Sequence, residues 1–302
     1  MGTSLCDTRD VPDCSSGGQG MEKRTGPIFS VIGVDIGGTK IQAGAVAVGP
    51  DGVTDRVAAS RQMATPRAAP PEFYDAAAQL VRAVRGLAVG QNLRLLPLLA
   101  VAHPGRFLPD GSLARGTTPN LGTAPGQFDG LRPAEELGRR LDAAVVAEND
   151  AVAQMRFGLA VLLRDPALRP RLLGETVIYV GPGTGMGGGV ARVDSRGGVA
   201  IVTDGHLFDL QVVGYGGGTR TAEELFTGLA IARAVEEANA HGSPPIQPVS
   251  AEEVDRLLVS SETPPPLRTA AERIADAQGE VLAAIIATVH AGAITKVRLE
   301  PV

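Results

Sequence analysis

Cysteine is almost missing from this 302-residue chain: the two present, Cys6 and Cys14, both fall within the first fourteen residues, outside any periodic segment. They cannot staple a core, so a disulfide framework and a cysteine zinc site are excluded for the body of the chain, which fits a reducing compartment. Long apolar runs are missing too. None reaches the roughly 18 residues that a spanning helix needs, and the N-terminus lacks the charged-then-apolar order of a secretory signal. A cytoplasmic location with no membrane partner is therefore expected. Nor is there an excess of positive charge: 28 Lys and Arg stand against 33 Asp and Glu, a net charge of −5, which gives no electrostatic footprint for nucleic acid. Lysine itself is scarce, with Lys23, Lys40 and Lys296 set against 25 arginines.

What is present describes an ordinary globular protein, with 44% hydrophobic and 20% charged residues, long enough for two moderate lobes with real cores. Residues 1–27 are polar, Gly/Ser-rich and aperiodic, and are expected to be disordered. The chain is organised around Val31-Ile32-Gly33-Val34-Asp35-Ile36-Gly37-Gly38-Thr39-Lys40-Ile41, which reads as strand, turn, strand. The turn falls at Gly37-Gly38, whose glycines can take positive φ. An acid near the end of the first strand, two glycines that let a ligand approach bare backbone, and a hydroxyl and an ammonium beyond them suit a nucleotide phosphate with its metal. A hairpin with no ligand fits the same residues, as does Lys40 as a solvated strand residue. A P-loop does not, because Thr39 precedes Lys40 and strand-type residues follow instead of a helix.

Further along, Val53 to Met63 continues as strand, and Pro70-Pro71 introduces a helix with one stripe, Phe73, Ala77, Leu80, Val81, Val84 and Leu87. Leu98 to Ala102 reads as a strand buried on both faces and ends in His103-Pro104-Gly105. The loop from Arg106 to Gly130 contains Thr118-Pro119-Asn120-Leu121 and is long enough to be functional or mobile. Pro133 to Leu141 reads as a helix and Ala143 to Ala147 as a short buried strand. That strand runs into Glu148-Asn149-Asp150 and a second helix through about Leu163. Such a strand-to-helix junction is where α/β proteins place site residues, although on its own Asp150 reads more simply as a cap of that helix.

Thr176 to Val180 and Val190 to Val193 read as strands around a turn from Gly181 to Gly189, with Thr184 placed as Thr39 is in the first turn. Two related lobes, each presenting a phosphate loop, would give this repetition. Asp204-Gly205-His206 follows, then Gly214 to Arg220 and a helix from Ala222 to Ala240 with Glu223 and Glu224 in its first turn, where the helix dipole alone favours acids. His206 could be a satisfied structural histidine. Thr269 to about Ala291 forms a long final helix.

Taken in order, Asp35-Ile36-Gly37-Gly38-Thr39-Lys40, Asn120 after a proline, Glu148-Asn149-Asp150 and Gly183-Thr184-Gly185-Met186-Gly187-Gly188-Gly189 resemble the ROK family of sugar kinases. The resemblance runs from about Ile28 to the end. It implies a two-lobed α/β fold of the actin/hexokinase/Hsp70 group, each lobe a mixed β-sheet flanked by helices, with the ligand cleft between lobes. Residues 28–147 would form the N-terminal lobe and 148–302 the C-terminal one. It further implies an ATP- and Mg²⁺-dependent kinase acting on a hydroxyl of a sugar or sugar-like polyol. In that assignment Gly37, Gly38, Thr39 and Lys40 form the first phosphate loop, Asp35 places Mg²⁺ indirectly, and Thr184 and Gly185 form the second loop. Asn120, Asn149, Asp150, His206 and Glu223 contact the substrate, and Asp150 is the catalytic base. A homodimer is expected.

Three departures from the family pattern shape these expectations. Relatives hold a structural zinc with a cysteine cluster where Gly214 to Arg220 has none, so no zinc is expected and His206 is released for a substrate or structural role. Asp204 stands where relatives carry Glu, one methylene longer, which makes an amino sugar or a cyclitol a serious alternative to a hexose. Relatives also continue into a strand and Gly-Gly turn that hold adenosine, which nothing after Ala291 supplies, so the C-terminal lobe is expected to be incomplete. Two other readings stay open. One is a sugar-responsive regulator, for which residues 1–27 are too short to encode a DNA-binding domain; the other is an actin-like ATPase.

Overall fold

The computed structural model describes residues 29–48, 57–182, 185–203, 210, 212, 220–241 and 244–290. Expectations for the tail through residue 27, for Gly183 and Thr184, for Asp204 to His206, for Gly214 to Thr219 and for the residues after His290 lie outside them. Contacts divide the chain into two compact units, the first ending at Ala160 and the second beginning at Val161. The family resemblance implies an earlier division, between Ala147 and Glu148. None of the described helices is long and apolar enough to cross a membrane.

The first unit is built on strand β1 (Phe29–Ile36), which lies at the centre of a mixed five-stranded sheet. The sheet also contains β2 (Lys40–Val48), β3 (Val57–Ala64), β4 (Leu95–His103) and β5 (Ala144–Asn149), in the order β3-β2-β1-β4-β5. β1, β2 and β3 form an antiparallel meander, while β4 and β5 join β1 in parallel. Alternation decides the faces: Ile32, Val34 and Ile36 of β1 and Ile41, Ala43 and Ala45 of β2 all turn into one core. Covering that face are α1 (Pro70–Gly90) and α2 (Pro133–Leu141). Each starts with proline in its first turn, where the missing N–H has no helical partner to lose. The expected α1 stripe is buried, except Leu87, which packs at its margin.

The opposite face corrects the expectation that Leu98 to Ala102 and Ala143 to Ala147 are buried throughout. Buried Leu99, Val101 and His103 of β4 alternate with half-buried Leu98 and Ala102 and exposed Ala100, and in β5 Ala144 and Val146 are exposed, Val146 to 62%. These apolar runs look continuous because the open face is lined by small or apolar residues such as Ala100, Ala102 and Val146. Gly33, Gly44, Asp35, Gln42 and Glu148 line the same shallow hollow, of about 370 Å³. β3 is described from Val57; residues 53–56, over which the expected strand starts, lie outside the described residues.

In the second unit the one-turn helix α4 (Arg169–Leu172) precedes β6 (Thr176–Pro182), β7 (Met186–Val193) and β8 (Val199–Thr203), which form an antiparallel sheet in sequence order. Here the glycine-rich turn is shorter than the sequence suggests. Gly187, Gly188 and Gly189 pair in register with Gly181, Val180 and Tyr179, so they belong to β7. The helix read as Ala222 to Ala240 is two, α5 (Ala222–Leu225) and α6 (Gly228–Ala240). Thr227 makes the break, donating its hydroxyl to Glu223 O and accepting Ala230 N–H as the new N-cap. α6 packs with α7 (Ala251–Val259) and α8 (Pro265–His290) around Val235, Ile246, Leu257 and Ala271.

Candidate active site

Parallel pairing of β1, β4 and β5 aligns their C-terminal ends. Asp35 lies beside Ala102, Ala102 beside Glu148, and His103 beside Asn149. Carboxyl ends of parallel strands are where α/β sheets bind ligands, and α3 (Asp150–Leu162) starts there without an intervening loop.

The first glycine turn follows β1 directly, and Gly37 N–H donates to Lys40 O across it at 2.9 Å. Its glycines are not there for a left-handed backbone, since neither Gly37 nor Gly38 has a positive φ. What they provide is room. A Cβ on Gly38 would lie 3.1 Å from Cβ of Asn120, and one on Gly37 would lie 3.1 Å from Lys40 O. Asn120 is thereby seated against the turn. Residues that the sequence does not single out hold this arrangement: Thr65 donates its hydroxyl to Gly37 O at 2.6 Å, and Arg67 donates to Asn120 O at 2.6 Å.

Asn149, not Asp150, caps α3. Its side-chain oxygen accepts Ala151 N–H at 3.0 Å and Val152 N–H at 3.2 Å, while its Nδ2 donates to Gly105 O at 3.0 Å. Asp150 is the first helical residue, with Oδ1 accepting Ala151 N–H at 2.9 Å. Burial pushes the Asp150 carboxyl above the usual carboxylate range; the Ala151 N–H opposes this and the charge of Asp35 adds to it. Neighbouring atoms likewise raise Asp35, with Lys40 acting in the opposite sense. The two acids are thus electrostatically coupled. Glu148 is engaged elsewhere, by Arg156 Nε at 2.8 Å.

Beside Asn149, on β4, lies His103, fully buried. One ring nitrogen, Nδ1, faces Pro104 O at 2.6 Å and the other, Nε2, faces the Tyr74 hydroxyl at 3.2 Å. Burial lowers its pKa to about 4, the Pro104 hydrogen bond acting against that shift, so the ring is neutral and its single proton sits on Nδ1, donated to Pro104 O. The Pro104-Gly105 turn is therefore held from His103 on one side and from Asn149 on the other.

Asp35, Gly37, Gly38, Thr39, Lys40, Asn120, Asn149 and Asp150 thus all belong to the first unit, with Asn120 against the glycine turn and Asp35 coupled to Asp150. In the second unit Gly185 and Glu223 come together. Met186 N–H donates to the Glu223 carboxylate, and a Cβ on Gly185 would lie 3.0 Å from Glu223 Oε1. Thr184 and His206 lie outside the described residues. Thr65 and Arg67 carry no local sequence signal, since their partners lie 28 and 53 residues away in the chain; His103 has one, standing before Pro-Gly at the end of an apolar run. Among the described residues no group of three or more His, Cys, Asp or Glu is arranged to hold a metal. A nucleotide-borne Mg²⁺ needs only one or two carboxylates besides phosphate and water, and the exposed Asp35 fits that demand.

No protein-family model matches the sequence, and no curated protein matches it. Solved structures do. A ROK hexokinase from Thermus thermophilus is 23% identical, with a TM-score of 0.52 over 86% of this chain and 77% of that one. A glucokinase from Balamuthia mandrillaris, solved in complex with glucose, is 15% identical with a TM-score of 0.59, covering 88% of this chain and 77% of that one. A ROK-family transcriptional regulator, a homologue of the E. coli MLC protein, is 15% identical with a TM-score of 0.62, covering 86% of this chain and 62% of that one. At such identities the likeness speaks for architecture. The chain has the α/β fold of the ROK sugar kinases, a fold of the actin and hexokinase type.

Proposed function

We propose that the protein is an ATP- and Mg²⁺-dependent kinase that phosphorylates a hydroxyl of a hexose, an amino sugar or a cyclitol, with Asp150 as general base. The observation that carries this reading is the half-buried Asp150 carboxylate at the start of α3, which Asn149 caps, at the same carboxyl ends of β1, β4 and β5 where Asp35 and the first glycine turn lie. A substrate hydroxyl attacking the γ-phosphorus becomes acidic only as the new bond forms, so a carboxylate held within about 3 Å can take its proton late. The raised pKa of Asp150 strengthens it as that acceptor. In this reading the backbone of the turn around Gly38 and Thr39 receives phosphate oxygens, and Asn120, packed against Gly38, positions the acceptor beside them. Mg²⁺ held at Asp35 supplies charge neutralisation on the phosphates when bound.

The test is ADP release by the full chain with ATP, Mg²⁺ and separately D-glucose, D-mannose, N-acetyl-D-mannosamine and myo-inositol. Asp150→Asn should lower kcat by about 10²- to 10⁴-fold, and the wild-type rate should fall as pH drops through the raised Asp150 pKa. Wild-type ADP release no greater than that of Asp150→Asn with every acceptor refutes the kinase reading. ATP hydrolysis indifferent to all four would favour an actin-like ATPase. The likeness to a transcriptional regulator supports a second reading, a sugar-responsive regulator; specific DNA retardation in a gel-shift would favour it.

A further inference from the structure

We infer that Thr65-Pro66-Arg67 is a positioning strap that sets the first glycine turn and the Asn120 loop independently, so that one end governs nucleotide binding and the other acceptor binding. The inference rests on the kinase reading for its catalytic consequence and on geometry alone for its structural one. The strap begins where β3 ends. Pairing with β2 brings Ala64 beside Lys40, and Thr65 N–H continues past it to Thr39 O at 3.0 Å. The Thr65 side chain, only 8% exposed, donates its hydroxyl to Gly37 O at 2.6 Å. Two bonds from one residue therefore hold both sides of the turn. Pro66 fixes the backbone φ of the next step. Arg67 then donates to Asn120 O at 2.6 Å, a charge-assisted bond, and α1 starts at Pro70, so the strap is tethered at both ends.

The two anchors act on different loops. Thr65 bonds to the glycine turn, which would receive nucleotide phosphates, and Arg67 bonds to the Asn120 loop, 53 residues away in sequence. The loops meet where Asn120 abuts Gly38. Fixing each from a common segment sets their spacing, and with it the distance between acceptor and phosphate. Arg67 is exposed, so its replacement leaves the core untouched.

Two measurements on the full chain test this. In ADP-release kinetics with ATP and the fastest of D-glucose, D-mannose, N-acetyl-D-mannosamine and myo-inositol, Arg67→Ala should raise the acceptor KM about tenfold, the equivalent of one strong hydrogen bond. Its KM for ATP should stay within about twofold, and Arg67→Lys, which keeps a donor, should recover most of the loss. Thr65→Val should do the converse, raising the KM for ATP, with Thr65→Ser restoring it. Both constants moving together in each variant, or neither moving, overturns the inference. In amide hydrogen exchange without ligand, Arg67→Ala should speed exchange in residues 117–123 but not 37–41, and Thr65→Val the reverse. A wild type without kinase activity would refute the kinase reading and leave the strap to stand or fall on exchange, where wild-type protection in both variants overturns it.

Discussion

Acidifying the protein should cost it stability through His103, and the amount can be worked out from the structure. The ring is fully buried, with Pro104 O and the Tyr74 hydroxyl as its partners, and its pKa falls from 6.5 to about 4. An unfolded chain takes a proton on this ring near pH 6.5, whereas the folded chain resists until about pH 4. Between these values the unfolded state binds more protons, so the contribution of His103 is complete above the upper value and is lost as pH falls to the lower one. Two and a half pH units at about 1.4 kcal/mol each come to about 3 kcal/mol, a sizeable part of the 5–15 kcal/mol typical of a folded domain. Asp35 and Asp150 act in the opposite sense: their raised values mean that folding favours their protonated forms and that stability is lost as pH rises. The informative quantity is therefore the difference between wild type and His103→Gln, whose amide can serve the same two partners but does not titrate. Urea unfolding from about pH 7 down to about pH 4.5 should show that difference shrinking by about 1.4 kcal/mol per unit below pH 6.5. A difference that stays flat across the range refutes a neutral, buried His103.

Two other substitutions probe the support of Asp150. Asn149→Ala removes the α3 cap, worth about 1 kcal/mol, and the donor to Gly105 O, worth about another; urea unfolding should register a loss of about 2 kcal/mol, and no loss would remove Asn149 from the support. Gly105→Ala places a Cβ 2.6 Å from Thr118 Cγ2 at a backbone φ of 101°. Strain and overpacking should together cost about 2–4 kcal/mol, and an unfolding midpoint equal to wild type would contradict the positive φ and close packing of that turn.

Period and turn chemistry make most of the first unit readable in advance. The β1–β2 hairpin, the buried stripe of α1 and the junction at Glu148-Asn149-Asp150 follow from alternation, helical spacing and an apolar run ending in polar residues. The burial of β4 and β5 does not, because a run of Leu, Ala and Val looks the same whether its alanines face a helix or open space. The break between α5 and α6 is equally hidden: Thr227 is as acceptable inside a helix as at its cap, and only its bonds to Glu223 O and Ala230 N–H decide between them. At the site, identities are readable but assignments are not. Asn149 is the kind of residue that contacts a sugar, yet its amide oxygen caps α3 and its amide nitrogen reaches Gly105 O. Those partners are set by the parallel pairing of β4 with β5, which no local pattern reveals.

The mixed sheet of the first unit also sets what each strand pairing costs in chain entropy, and with it the expected order of assembly. β1, β2 and β3 close short connections, so their pairings are cheap in loop entropy, whereas β4 must return across α1 and β5 across the long Asn120 loop and α2. The glycine turn and Asp35 belong to the early part and Asp150 to the late one. A nascent or partly unfolded chain can therefore present the turn, but it lacks the carboxylate until the last parallel strand is seated. A carboxylate in the neighbourhood of Asp35 at the start of α3 thus exists only once the sheet is complete.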